Sequence, residues 1–236
     1  ARQIQDDWLG GAPDPAAAAD LLTTLRQGSA DEACTQVVEL LNRGVAPQSL
    51  WDAIFDGAGE LLVRQPGIVS LHAATTSNAL HFAYQASSDD QTRRLLLLQN
   101  AAFVTLFRGA LGGRGRVGDP QIDQIEAVAP TEDGPGAIEE IFADVSRDRP
   151  AAARKTLGYL QAHPQPEPLI DAARRLVFLK GDDAHDYKFS SAVLEDYYHV
   201  SPSWRDRYLA ASMYLLPGSG DRDNALVQRT RAALGA

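Results

Sequence analysis

Five histidines are the residues of this chain best suited to acid-base or metal chemistry: His72, His81, His163, His185 and His199. Helical geometry limits how they can cooperate. His72 and His81 are nine residues apart, which at ~100° per residue puts them on opposite faces of one helix. His185 and His199 share a face but are separated by about 21 Å along an unbroken helix. Only a site between helices can combine two of them. The sequence places His72 with His185 in such a site, aided by Asp183, Asp186 or Asp196, because imidazole with carboxylate suits iron, copper or zinc. No H-E-x-x-H or E-x-x-H run is present, so the usual di-iron signature of helical bundles is missing.

The stretch from Gly181 to His199 is the densest polar and aromatic cluster in the chain. It makes His185 and His72 candidate acid-base groups, with Asp186, Tyr187 and Lys188 beside them. The packing alternative has Asp182 or Asp183 capping a helix, His185 and Lys188 in a solvated first turn, and Tyr197 and Tyr198 as core aromatics with wet ends. In the matching stretch of the first half, Thr75, Thr76, Ser77 and Asn78 are poor helix formers inside a helical run. Such a conflict marks either a functional site or hydrogen bonds between helices. Glu60, Arg64, Arg93 and Arg94 are expected to be surface or ion-pairing residues. Cys34 is expected on the buried side of a helix, and without a second cysteine no intrachain disulfide can form.

The elements that must position these residues are helices throughout. Proline sits at first-turn positions after a capping residue or a loop, as at Asp14-Pro15, Pro47, Pro150, Pro168 and Pro202, and glycine follows several apolar runs. The spacing predicts an all-α fold: an N-terminal arm over 1–13 pinned by Trp8, helices over 14–111, a Gly/Pro-rich linker within 109–136, and further helices over 137–236. The glycines of GGRGRVG match neither a P-loop nor a dinucleotide fingerprint in spacing.

Self-comparison points to two diverged copies of one helical unit. At a shift of 119, Ala33, Leu41, Pro47, Leu50, Asp52 and Ala53 meet Ala152, Leu160, Pro166, Leu169, Asp171 and Ala172. At a shift of 113, His72, Ser77, Ala79, Tyr84, Ser88, Arg94 and Leu96 meet His185, Ser190, Ala192, Tyr197, Ser201, Arg207 and Leu209. Equivalent helices of such a pair are expected near a pseudo-twofold axis, with His72 and His185 lining a cavity between the copies.

With 31 acidic and 22 basic residues the formal charge is −9, which argues against nucleic acid as a partner. The uninterrupted apolar runs are far shorter than the ~20 residues of a membrane span. The chain starts at Ala1, the expectation for a processed product or a trimmed chain.

LHFAYQ around His81 and Tyr84, and AHDYKFSSAV around His185 and Asp186, resemble motifs of the questin-oxidase-like family, helical proteins associated with oxidative ring-opening of aromatic polyketides. The run from Ser49 to Gln85 is similar to bacterial proteins bearing twin-arginine export signals, which implies a periplasmic address. The functional expectation is an oxidoreductase with a histidine-lined, metal- or cofactor-binding cavity. The alternatives are a non-catalytic helical-repeat protein that binds a protein partner, or a carrier of a small apolar ligand.

Overall fold

A computed structural model describes residues 1–235, and among them only helices form regular structure. In chain order these are α1 (Pro15–Gln27), α2 (Ala30–Asn42), α3 (Pro47–Arg64), α4 (Ile68–Ala86), α5 (Asp90–Leu111), α6 (Gly134–Val145), α7 (Arg149–Ala162), α8 (Glu167–Lys180), α9 (Ala184–Asp196), α10 (Arg205–Ser212) and α11 (Ala225–Leu234). Their starts follow the capping chemistry of the sequence. The Asp14 carboxylate accepts from the amides of Ala16 and Ala17, and Ser29 with Glu32 forms a reciprocal capping box. Asp89 accepts from the amide of Thr92, and Asp183 with Asp186 forms a second box at α9. The expected segments ending at Val200 and spanning Pro202–Leu216 are shorter as helices, because turns replace the last turn of α9 and both ends of α10.

Helix α3 is the axis of the molecule, buried on nearly every side from Pro47 to Val63. α1, α4, α5 and α10 all pack against it. A Cβ at Gly59 would stand 3.2 Å from the Tyr208 ring and 3.0 Å from Ile122, so the missing side chain is what lets α10 and the inter-half segment approach α3.

The segment expected as a linker is a strap held along the core. Ile122 is fully buried and donates its amide to Glu60, Arg26 bridges Glu60 and Asp123, and Arg64 and Gly118 exchange hydrogen bonds. Further on, the Val128 amide donates to Arg154 O on α7, where only glycine at position 158 leaves room for the backbone. The N-terminal arm is likewise fixed: Trp8 is buried and donates to Asp90, and Arg94 donates to the carbonyls of Ile4 and Gln5.

One hydrophobic core runs through both halves. In the second, α6 packs on α7 and α8, α7 on α10, and α9 on α8 and α10; in the first, α1 packs on α2 and α3, α2 on α5, and α4 on α3 and α5. The halves meet where α4 lies on α9 and α3 on α10. α5 and α8 make no interface comparable to α3 with α10, so packing between the halves departs from the expected twofold arrangement.

α5 is the single helix among the described residues with the length and composition to cross a membrane. Its Leu97, Ala101 and Val104 are buried in the protein core, and it packs against α2 and α4. Cys34 is only half-buried, its thiol directed at Leu98 O, while Ala33 and Val37 take the buried positions expected of it.

Candidate functional site

The seam between α4 and α9 gathers the chemistry-bearing residues. The helices run in the same direction: His72 lies by His185, Asn78 by Asp196, and His81 and Gln85 by His199. One histidine pair sits at each end, with a buried carboxylate between them.

At the first end the His72 and His185 ring centroids are 5.6 Å apart with the planes at 77°. His72 is exposed and the His185 side chain is 45% exposed, so the pair lies open at the surface rather than inside a cavity between the halves. The α9 cap places His185 there. Asp183 accepts from the amides of His185 and Asp186, and its carboxylate lies 3.5 Å from His185 Nδ1. Those backbone hydrogen bonds hold the Asp183 carboxyl below its ordinary range.

The neighbours proposed from sequence point elsewhere. Asp186 accepts from the amides of Asp182 and Asp183, which commits it to the cap. The Tyr187 hydroxyl donates to Gly181 O and its ring lies against Phe178 of α8, while Lys188 is exposed. Among the described residues no three His, Cys, Asp or Glu side chains converge to hold a metal ion.

In the middle of the seam the poor helix formers of α4 join helices. Ser77 donates to Asn100 of α5, and Asn78 donates to Asp196 at 2.8 Å. Asp196 is fully buried and also accepts from Tyr208 of α10 at 3.0 Å. Burial pushes its carboxyl up to about 7, against the opposing pull of the Asn78 and Tyr208 hydrogen bonds.

At the far end His81 is buried, edge-on to Trp51 at 4.7 Å and to Phe55 at 5.1 Å, and 5.0 Å from His199. Burial, and secondarily His199, lowers its imidazole to about 4, so it is neutral at physiological pH. The Gln48 amide ties this end together, donating to Asp52 and to His199 O.

Three acids line one stripe of α3, and of these the sequence gives a role only to Glu60, expected as a surface or ion-pairing residue. Asp52, Asp56 and Glu60 recur every fourth residue, one stripe of the helix, and all three are buried. Asp52 accepts from Gln48 and the Ser201 amide, and Glu60 pairs with Arg26. Asp56 is wholly enclosed, and among the described residues neither of its oxygens has a hydrogen-bond partner. Burial first, then Asp52, raises its carboxyl well above the ordinary value, with Arg207 opposing. The four-residue spacing is the available signal for this stripe; the burial of Asp196, expected beside the histidine pair, and of His81 has none, since it depends on what packs over them.

No protein-family model, curated protein or solved structure matches this chain.

Proposed function

We propose that the α4–α9 seam is the working site and that His72 and His185 form an open two-histidine site for a transition-metal ion, iron, copper or zinc. The observation that carries this reading is the ring pair itself, two imidazoles from different helices 5.6 Å apart and open to solvent. Imidazole is the protein ligand common to these three metals. A catalytic ion keeps at least one coordination position open beside its protein ligands, and two imidazoles leave such positions for water and substrate. Iron or copper there would supply redox chemistry, which makes oxidoreductase the activity we assign. The stretches resembling the questin-oxidase-like family lie on α4 and α9, in keeping with that assignment.

The two-copy origin of the chain belongs to the same proposal. It is supported by the matching helix neighbours in the two halves, by the equivalent residues Ser77 and Ser190, and Tyr84 and Tyr197, all buried, and by the touching pair His72 and His185. A second reading, partner binding without catalysis, is favoured by the groove of about 710 Å³ along α8 and α9, where Phe178, Tyr187 and Tyr198 are 68%, 40% and 50% exposed.

Calorimetric titration of the purified protein with Cu²⁺ and Zn²⁺ tests the metal site. One ion per chain is expected, bound at least tenfold more weakly after His72→Ala or His185→Ala. Binding that survives the double substitution, or no binding to the unsubstituted chain, overturns the proposal.

A further inference from the structure

The two halves differ where α1 meets α3 in the first and α6 meets α8 in the second. In the first, α1 and α3 close on each other: Leu21, Leu22 and Leu25 are buried, and Leu25 comes so near α3 that a Cβ at Gly57 would lie 3.2 Å from it. In the second, α6 and α8 take the corresponding places and leave a cleft of about 690 Å³ between them. Ile138 and Phe142 of α6, Leu176 and Leu179 of α8 and Tyr159 of α7 line it. Leu176 and Leu179, on the face of α8 turned to this cleft, are only partly buried, so apolar surface is left uncovered.

The volume falls within the range of small-molecule sites, and the lining is mostly apolar with few polar groups. Three charged side chains stand at its edge. Asp171 is engaged by Arg174 at 3.1 Å, and Glu139 is exposed on the α6 side. Arg175, exposed on α8, has no carboxylate within ion-pair distance among the described residues, and so offers a guanidinium to a ligand from the same helix that supplies Leu176 and Leu179.

We propose that the α6–α8 cleft binds a small amphipathic carboxylate, its apolar body between α6 and α8 and its carboxylate on Arg175. This site is separate from the histidine seam and stands whether or not a metal binds there.

The test is displacement of the fluorescent probe 1-anilinonaphthalene-8-sulfonate from the full chain at pH 7. Sodium decanoate is expected to displace one bound probe per chain, and decylamine, of equal chain length and opposite charge, to do so at least tenfold more weakly. Arg175→Glu should weaken decanoate at least tenfold, and Leu176→Glu should remove the probe itself, both with unchanged circular dichroism and melting temperature. Arg175 is exposed, so that variant keeps the test valid even where Leu176→Glu disturbs folding. Equal binding of the two amphiphiles, indifference of decanoate to Arg175→Glu, or probe retained by a folded Leu176→Glu chain (as binding in the α8–α9 groove would give) overturns the proposal. Insensitivity of decanoate binding to His72→Ala separates this result from that of the metal site.

Discussion

The two ends of the α4–α9 seam carry the same residue type in opposite circumstances. His72 and His185 meet in solvent, while His81 is sealed beneath Trp51 and Phe55 with His199 and the stacked ring of Tyr84 beside it. What differs is the third helix. At the buried end the first half of α3 lays two aromatic rings against the seam; at the open end His72 meets, among the described residues, the ring of His185 alone. An imidazole free of packing can take a ligand or a proton, whereas one enclosed by rings is spent on the core and kept neutral by the cost of burying charge.

The strongest way to break this comparison is to remove the covering ring. Trp51→Ala should cost about 3–5 kcal/mol in urea unfolding, the range for a large buried aromatic, whereas His72→Ala, metal-free, should stay within ~0.5 kcal/mol. Equal costs would mean that the two ends are not distinct.

The next effect is the pH dependence imposed by Asp196 at the centre of the seam. Its folded pKa, about 7, lies above the unfolded carboxyl value, so the folded state holds a proton that the unfolded chain has lost. Stability therefore falls as pH rises from about 4 to about 7 and stays reduced above that. Asp196→Asn should flatten this slope, with a gain at pH 8 relative to pH 4 of roughly 2–4 kcal/mol over the unsubstituted chain in parallel urea titrations. An unchanged slope would show that Asp196 is ionised at little cost.

His81 gives the opposite and smaller slope. Its folded pKa of about 4 lies below the unfolded imidazole value near 6.5, so its contribution is complete above about 6.5 and lost as pH falls through 4. His81→Phe should remove on the order of 2 kcal/mol of acid sensitivity between pH 7 and pH 4, read as the shift of the urea midpoint.

Much of the fold was legible. Asp14-Pro15 and the prolines in the first turns of α3, α7 and α8 act within a few residues of themselves, so where these helices begin is legible locally. The strap was not legible: its glycines and prolines announce irregular backbone, but its attachment depends on Glu60, Arg26 and Arg154, far away in sequence. The cap role of Asp183 was visible because it is local. Proximity in sequence groups Asp186, Tyr187 and Lys188 with the histidines, whereas the fold commits Asp186 to the cap and the Tyr187 hydroxyl to Gly181 O.

The sequence by itself determined the helices and their capped starts, and placed His72 and His81 on α4 and His185 on α9. Only the tertiary structure decided which residues meet and what covers them. It laid α4 and α9 side by side, left His72 and His185 in solvent, buried His81, Asp56 and Asp196, and opened a cleft between α6 and α8 where α1 and α3 close. The reason is physical: capping and periodicity are local, set within about four residues, whereas burial and the protonation it dictates arise from surfaces brought together across the chain.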